Sequence, residues 1–276
     1  MPTLLVIIIL GIVEGLTEFL PVSSTGHLTI TEKLLGLPID DPAVTAFTAI
    51  IQIGAIAAVI VFFRNDLWRF AKAWVSGLHR SEHRGSLDYR MGWYIVIGSL
   101  PIGVAGLLGK DLITGPLRSL WWVAGALIGW SAVMVLAERR GNQQRDETQL
   151  TLADAVLIGL AQCIALVPGV SRSGATISAG LLLGLDRVTA TRMSFFLSIP
   201  ALVAAGLYEL PDAIAGDISL ATTLVATGVS FVVAYASVAW LLRFVAHHSI
   251  EVFVVYRVLL GAVLIGLLAT GTISAT

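Results

Sequence analysis

The chain has 276 residues, of which 57% are hydrophobic and only 13% are charged, and its mean hydropathy is +0.89. Soluble proteins carry about 25% charged residues, so this composition excludes an ordinary soluble domain and indicates a polytopic membrane protein. The net charge is −1 and no segment is strongly basic, which argues against a nucleic-acid partner. The single cysteine, Cys163, excludes an intrachain disulfide and a cysteine-cluster metal site.

The first residues contain neither a basic segment nor an Ala-x-Ala cleavage site, so we expect no cleaved signal peptide. Six apolar runs are long enough to cross about 30 Å of hydrocarbon. They are Ala43–Phe63, Trp93–Gly109, Leu120–Ala137, Met193–Leu210, Leu220–Leu242 and Val252–Thr270. We therefore expect an all-α polytopic membrane protein with six transmembrane helices in one integral membrane domain, residues 1–276. The polar segments 79–90 and 138–154 are interpreted as solvated loops.

Two further apolar stretches, Leu4–Leu35 and Leu152–Leu185, are interrupted near their middle by a proline and a cluster of Ser, Thr and Gly. Each half is too short to cross a bilayer alone. Broken helices are tolerated at membrane depth only where they are buried in protein or face a water-filled cavity. We therefore predict that each stretch forms a re-entrant helical hairpin.

The two predicted hairpins are similar in sequence. Residues 15–18 (GLTE) align with residues 159–162 (GLAQ), and residues 21–26 (PVSSTG) align with residues 168–174 (PGVSRSG) if one small insertion is allowed. Each hairpin is followed by three spans, which predicts a first repeat at 1–140 and a second repeat of inverted topology at 150–276. Repeats of this kind place their site near the membrane midplane, at the repeat interface.

The distribution of Lys and Arg predicts the orientation, because cytoplasmic loops carry an excess of both. Of the 17 basic residues, Arg172 and Arg257 lie within the membrane, and Lys33, Lys110 and Arg118 lie on one face. The remaining twelve lie on the other face, which is therefore cytoplasmic: Arg64, Arg69, Lys72, Arg80, Arg84, Arg90, Arg139, Arg140, Arg145, Arg187, Arg192 and Arg243. Both termini and the mouth of the first hairpin are then outside. The second hairpin enters from the cytoplasm, so the two broken tips can meet inside the bilayer.

The first break carries ionisable and hydroxyl groups within an apolar stretch, in the sequence EGLTEFLPVSSTGH at residues 14–27. Glu14 and Glu18 are four residues apart and share one helix face, and Pro21 ends that helix. The candidate N-caps of the following helix are Ser23, Ser24 and Thr25. A charge at membrane depth costs roughly 2.5–3.5 kcal/mol on insertion scales, and such charges are functional by default. An ion pair between Arg172 and one glutamate would leave the second glutamate unexplained, whereas a divalent cation with a phosphorylated substrate satisfies all three charges.

Ser24 is the candidate nucleophile. A catalytic serine needs a base within reach, and His27 lies three residues further along the first turn of the following helix. Two alternatives stay open: Ser23 and Ser24 act only as helix caps, and His27 is only a packed side chain.

The second break reads PGVSRSGAT at residues 168–176 and contains Arg172. Arginine binds phosphate in a bidentate manner and stabilises transferring phosphoryl charge, while Gly169 and Gly174 let the backbone approach a ligand. The candidate phosphate-binding residues of the two breaks are Ser23, Thr25, Gly26, Ser171, Ser173, Gly174 and Thr176.

Three other polar residues lie in apolar segments. Gln162 aligns with Glu18 and is either a neutral hydrogen-bonding remnant of that position or a packing residue. Gln52 is expected to make an interhelix hydrogen bond. Arg257 is either a second phosphate contact or a structural ion-pair partner, and we favour the structural role. No Gly-x-x-x-x-Gly-Lys-Ser/Thr loop is present, which excludes a nucleotide-driven pump.

At these two breaks the sequence resembles the bacterial undecaprenyl-diphosphate phosphatases, also called bacitracin-resistance proteins. The Glu-x-x-x-Glu pattern of that family corresponds to residues 14–18, its SSTGH to residues 23–27 and its PGxSRSxxT to residues 168–176. The similar order of hairpins and spans extends along essentially the whole chain.

The resemblance implies an enzyme of the bacterial cytoplasmic (inner) membrane that hydrolyses undecaprenyl diphosphate to undecaprenyl phosphate and inorganic phosphate at the outer face. The reaction recycles the carrier lipid for peptidoglycan synthesis, and bacitracin competes for the same lipid. The resemblance also implies a divalent cation, Mg²⁺ or Ca²⁺. The implied partners are the polyprenyl diphosphate substrate and membrane lipid, and a homodimer is left open.

The residues and the resemblance together give one mechanistic hypothesis. Glu14 and Glu18 hold the metal ion against the diphosphate, Arg172 binds the terminal phosphoryl group, and Ser24 attacks it with His27 assisting proton transfer. Direct attack by water is the competing route. A secondary transporter or polyprenyl-phosphate flippase is the alternative function, because inverted repeats with broken helices are common in transporters.

Overall fold

The computed structural model of the chain describes residues 4–37, 42–109, 112, 117, 119–215 and 220–275. In this part of the chain the regular structure is α-helical, apart from short 3₁₀ turns at Ser81–His83 and Glu147–Gln149 and one isolated β-bridge between Arg145 and Leu185. The α-helices are α1 (Leu4–Thr17), α2 (Ser24–Leu34), α3 (Pro42–Phe62), α4 (Arg64–His79), α5 (Leu87–Leu108), α6 (Leu120–Arg140), α7 (Leu152–Ile164), α8 (Arg172–Leu182), α9 (Arg187–Ala215), α10 (Leu220–Val245) and α11 (Glu251–Ala269).

Five of these helices, α5, α6, α9, α10 and α11, are long and apolar enough to cross a membrane, and the bent pair α3–α4 makes a sixth if it is counted as one span. The prediction of an all-helical, multi-pass protein is therefore confirmed. The observed spans extend beyond the apolar runs, since α5 begins at Leu87 rather than Trp93 and α9 begins at Arg187 rather than Met193. Helices can continue into polar residues beyond the hydrocarbon, which a search for apolar runs does not detect.

Helix α4 is a feature that the sequence analysis missed. It is bent by 73° from the helix segment Phe47–Phe62 that precedes it. The helix is amphipathic: Phe70 is buried against Phe196 of α9, with ring centroids 5.3 Å apart, whereas Trp68 is 72% exposed. Because its apolar residues recur on one face rather than in a continuous run, hydropathy gives no signal for it.

The two predicted breaks are present, between α1 and α2 and between α7 and α8. We call residues 18–26 the first tip and residues 165–174 the second tip. Ser23 and Ser171 occupy matching positions in them, with φ of 76° and 77°, and each accepts a hydrogen bond from the glycine N–H three residues further on. Positive φ is uncommon for a serine, so the shared geometry agrees with the sequence similarity of the two breaks.

The open ends of the two broken segments lie at opposite ends of α6. Near the start of α6, the amide of Leu120 donates to the carbonyl of Ala275, and the neighbouring Ser274 accepts from Lys33 Nζ at the end of α2. Beyond the other end of α6, the guanidinium of Arg145 lies 2.5 Å from Asp154 at the start of α7 and donates to the carbonyl of Leu183 just after α8. The two tips therefore approach each other from opposite directions.

Several of the basic residues assigned to one face lie together at this second end of α6. They form ion pairs with acidic residues: Arg139–Glu251, Arg145–Asp154, Arg187–Glu138, Arg192–Glu147 and Arg192–Asp66. Lys110 and Arg118, which were assigned to the opposite face, lie outside the described residues.

Helix α1 reaches its position through glycine contacts with α10. A Cβ atom at Gly15 would lie 2.6 Å from the carbonyl oxygen of Ser230, and one at Gly11 would lie 2.9 Å from that of Ala226. Small residues let membrane helices approach closely and gain van der Waals contact. Because Glu14 is on the same turns of α1, this packing also sets the depth of its carboxylate.

We predict that Gly15→Ala destabilises the protein by about 1–3 kcal/mol, since the added methyl group overpacks the contact between α1 and α10. The matched control is Gly125→Ala on α6, where nothing lies within 4 Å of the added Cβ. Both variants gain the same helix propensity, so the comparison isolates packing. Thermal unfolding in detergent, followed by tryptophan fluorescence, measures the difference, and equal midpoints for the two variants would contradict the close contact.

Candidate active site

The two tips are joined through the carboxylate of Glu18, which is buried. Glu18 Oε1 pairs with the guanidinium of Arg172 in the second tip, and Glu18 Oε2 accepts a hydrogen bond of 2.5 Å from Ser24 Oγ in the first tip. The residues that the sequence singled out in separate breaks are therefore in contact. A serine hydroxyl with a carboxylate acceptor on one side and an arginine nearby is an arrangement that can support phosphoryl transfer.

Two further hydrogen bonds connect the tips reciprocally. The N–H of Gly169 donates to Ser23 Oγ over 3.1 Å, and Ser173 Oγ donates to the carbonyl of Leu20 over 2.9 Å. Ser23 also accepts from the amide of Gly26 and so caps α2. Ser23 thus combines the capping role with a contact between the two tips.

Arg257 of α11 supports both tips from a fully buried position. It donates to the carbonyl of Pro21 over 3.1 Å and to the carbonyls of Gly169 and Val170 over 3.0 Å each, while its Nε reaches Ser131 Oγ on α6. These contacts fit the structural role favoured from the sequence, but the ion pair predicted with that role is not formed among the described residues. The partners of Arg257 are backbone carbonyls and a hydroxyl rather than a carboxylate.

A cavity of about 130 Å³ lies where the tips meet. Its lining residues come from both tips and from helices α3 and α5: Glu18, Ser23, Ser24, Thr25, Gln52, Ile102, Ala165, Leu166, Pro168, Ser171 and Arg172. The wall carries hydroxyl and charged groups as well as alkyl groups, a combination that suits a ligand with a polar head and an apolar chain.

Other predicted site residues lie behind the cavity wall, in contacts that hold the tips. Thr176 Oγ1 donates to the carbonyl of Arg172 over 2.8 Å and to Ser194 on α9 over 2.7 Å. The space beside Gly26 is filled by Val123 of α6, and Gly174 lies against Ser171. These residues pack within the tips and against neighbouring helices and do not line the cavity.

The predicted contact between Ser24 and His27 is not formed. His27 Nδ1 lies 2.7 Å from the carbonyl oxygen of Ser23, one helical turn back, and Nε2 lies 2.5 Å from the hydroxyl of Tyr256 on α11. The two rings are also stacked, with centroids 5.5 Å apart. The sequence spacing correctly predicted that His27 lies on the first turn of α2, but its ring points towards α11. The carboxylate of Glu18 therefore takes the place next to Ser24 that was predicted for the histidine.

Glu14 lies deep beside this constellation. It is 1% exposed, and neither of its carboxylate oxygens accepts a hydrogen bond from the described part of the chain. Glu18, Arg172 and Glu32 are charged residues that interact electrostatically with it. A buried carboxylate without hydrogen-bond donors is unfavourable unless a cation or a proton neutralises it, so this position fits a bound cation.

The donor set also fits a small divalent cation of the kind the sequence predicted. Mg²⁺ is often held by one or two carboxylates together with substrate phosphates and water, and Glu14 and Glu18 supply two carboxylates. Among the residues that the structure describes, no cluster of three or more His, Cys, Asp or Glu side chains is suited to a metal ion. The remaining ligands would therefore come from substrate and solvent.

The structure bears on the roles predicted for two glutamines. Gln52 makes no interhelix hydrogen bond within the described residues and lines the cavity instead, so that prediction is wrong. Gln162 is fully buried, and neither atom of its amide is hydrogen bonded in the described ranges, which favours the packing role over the hydrogen-bonding remnant. Sequence alone could not decide which way either side chain faces.

The fold and the site define a class: a multi-pass membrane protein in which two broken helical segments bring a serine, a carboxylate and an arginine together. Residues 7–263 match the model of the family described as bacitracin resistance protein BacA, and the chain belongs to that family.

Curated relatives match along nearly the whole chain. The undecaprenyl-diphosphatase of Acidothermus cellulolyticus is 56% identical over 269 residues, which cover 97% of this chain and 98% of the relative. Undecaprenyl-diphosphatase 3 of Frankia casuarinae is 57% identical over 272 residues, covering 98% of each chain. Undecaprenyl-diphosphatase 1 of Streptomyces avermitilis is 54% identical over 268 residues, covering 97% of each.

We predict that Arg257→Met strongly destabilises the protein, because it leaves the carbonyls of Pro21, Gly169 and Val170 without a donor. Each buried group left unsatisfied costs about 1–3 kcal/mol. Arg243→Met, at an exposed position near the end of α10, is the matched control. Thermal unfolding in detergent should show a lower midpoint for Arg257→Met and an unchanged midpoint for Arg243→Met. An unchanged midpoint for Arg257→Met would contradict the structural role of this arginine.

Proposed function

We propose that this protein hydrolyses undecaprenyl diphosphate to undecaprenyl phosphate and inorganic phosphate. The observation that carries the proposal is the contact of Ser24 and Arg172 with one buried carboxylate, Glu18, on the wall of a cavity. Membership of the BacA family and the names of the relatives agree with this activity. The activity recycles the carrier lipid for peptidoglycan synthesis and gives resistance to bacitracin.

The proposed reaction begins with the terminal phosphoryl group between Ser24 and Arg172. Ser24 Oγ attacks the phosphorus while its proton passes to the carboxylate of Glu18, and the bond to the bridging oxygen breaks. Glu18 then releases this proton to the departing undecaprenyl phosphate and is ionised again. Water hydrolyses the phosphoserine with Glu18 as its base, and Glu18 returns the proton to Ser24 Oγ as inorganic phosphate forms. The guanidinium of Arg172 donates to the phosphoryl oxygens throughout and stabilises their charge. This scheme assigns to Glu18 the proton transfer that the sequence assigned to His27.

Direct attack by water is the competing route. In that case Glu18 removes a proton from the water molecule, and Ser24 only orients the substrate. The 2.5 Å hydrogen bond between Ser24 and Glu18 favours serine as the nucleophile, since it joins the hydroxyl directly to its base.

The proposed cofactor is a divalent cation, Mg²⁺ or Ca²⁺, held by Glu14 and Glu18. When bound, it would neutralise the negative charge of the diphosphate. The buried and otherwise unsatisfied oxygens of Glu14 support this assignment.

The proposed topology is two re-entrant hairpins in an inverted repeat, with residues 1–140 and 150–276 as the halves. The opposite approach of the two tips along α6 supports it. The ion-paired basic residues at one end are then cytoplasmic by the positive-inside rule, and both termini and the active site face the outside of the inner membrane.

We expect the purified protein in detergent to release phosphate from undecaprenyl diphosphate and to lose this activity when a chelator removes divalent cations. Ser24→Ala should reduce turnover to background, with Thr29→Ala, on the next turn of α2 and away from the cavity wall, as the control. A phosphoserine trapped at position 24 would support covalent catalysis. Substantial turnover by Ser24→Ala would favour direct attack by water, and no phosphate release by the parent protein would favour the transporter or flippase.

Replacing Arg172 tests the electrostatic part of the mechanism. Arg172→Ala should lower kcat roughly 10²–10³-fold, the usual effect of losing one preorganised donor to a developing charge. Arg172→Lys keeps the charge but loses the bidentate geometry, so it should recover only part of the loss. Steady-state phosphate release measures both variants, and near-parent turnover by Arg172→Ala would remove this residue from the mechanism.

A further inference from the structure

Gln52 is a polar residue of the cavity wall whose role the mechanism above leaves open. It lies on α3, outside both tips, and its neighbours in the chain are Ile51 and Ile53. Its amide makes no hydrogen bond to any residue in the described part of the chain. The side chain is only partly buried and lines the cavity, so its amide is available to a ligand that enters there.

The lining residues of the cavity come from the two tips and from two other helices. The tips contribute the charged and hydroxyl groups around Ser24 and Arg172, together with the apolar Ala165 and Leu166. Helices outside the tips contribute only Gln52 from α3 and Ile102 from α5 among the described lining residues. The polar group that can contact a ligand from outside the two tips is thus the amide of Gln52.

The reaction geometry identifies the part of the substrate that extends away from Ser24. In phosphoryl transfer the nucleophile and the leaving oxygen are roughly in line on opposite sides of the phosphorus. With the terminal phosphoryl group held between Ser24 and Arg172, the lipid-linked phosphate must lie on the side of the phosphorus away from Ser24 Oγ. The apolar side chains of Ile102, Ala165 and Leu166 then suit the start of the isoprenoid chain.

We propose that the amide of Gln52 donates to the lipid-linked phosphate of the substrate and stabilises it as the leaving group. This inference rests on the proposed function. As the bond between the terminal phosphorus and the bridging oxygen breaks, its electron pair passes to the bridging oxygen, which becomes part of undecaprenyl phosphate. A donor near that oxygen interacts more strongly with the transition state than with the ground state, so it raises kcat. The amide is neutral and therefore holds the charged product less tightly than a second arginine would.

The two products test the two proposed phosphate positions separately. Inorganic phosphate, used as an inhibitor, should occupy the position next to Ser24 and Arg172, whereas undecaprenyl phosphate presents the phosphate that we assign to Gln52. The test variant is Gln52→Met, which keeps an unbranched chain of similar length without the amide. The control is Ile53→Met, at the adjacent position of α3, which is 39% exposed on the surface.

We expect Gln52→Met to lower kcat/KM for undecaprenyl diphosphate by about 10- to 100-fold, the usual effect of losing a hydrogen bond to a charged group. The inhibition constant of undecaprenyl phosphate should rise, while that of inorganic phosphate should stay at the parent value. Gln52→Glu should lose more activity than Gln52→Met, because a carboxylate repels the phosphate. Ile53→Met should match the parent protein in every constant.

Three results would overturn the inference. They are parent-like kcat/KM in Gln52→Met, an unchanged inhibition constant for undecaprenyl phosphate, and an equal rise in both inhibition constants, which would indicate general damage to the cavity. The parent protein distinguishes this failure from failure of the proposed function. If the parent protein releases phosphate and the Gln52 variants have the same constants as the parent, the assignment of Gln52 is wrong and the activity stands. If the parent releases none, the proposed function itself fails.

Discussion

The attraction between Glu18 and Arg172 is the interaction on which the rest of this site depends. Each charge lies in an interrupted helix surrounded by apolar segments, where an unpaired charge is costly. Breaking such a pair is unfavourable because it leaves an uncompensated charge behind. The two tips are therefore held together from opposite directions, and the serine hydroxyl of the first tip is brought to the same carboxylate. This contact therefore links the chemistry of the site to the packing of the two tips.

Much of this could be predicted from the sequence, because the rules that apply are local. Apolar runs identify spans, a proline with hydroxyl residues identifies a break, and a serine near the start of the following helix identifies a cap, as at Ser23. Side-chain direction could not be predicted, since it depends on neighbours distant in the chain. His27 faces Tyr256, 229 residues later, and Gln52 faces the cavity rather than another helix. Helix α4 was missed because amphipathic segments lack a continuous apolar run.

The two glutamates of the first break show how two residues of the same type come to have different roles. Glu14 and Glu18 share a helix face, and sequence treats them alike. In the structure Glu18 is fully engaged by Arg172 and Ser24, whereas the oxygens of Glu14 receive no hydrogen bond from the described residues. Glu18 is therefore suited to proton transfer in addition to the cation that both carboxylates are proposed to hold, whereas Glu14 is suited to the cation alone. The division arises from what lies opposite each carboxylate, because their spacing in α1 is the same as in any helical pair.

The bracing of both tips by Arg257 has a consequence for biosynthesis. This arginine belongs to α11, the helix nearest the carboxyl end, and it reaches carbonyls in segments that leave the ribosome much earlier. Until that last helix is inserted, the tips lack their common support in the bilayer. The nascent chain therefore stays without an assembled reaction centre until α11 has been inserted, and a chain that stops before α11 inserts its earlier helices without acquiring that centre.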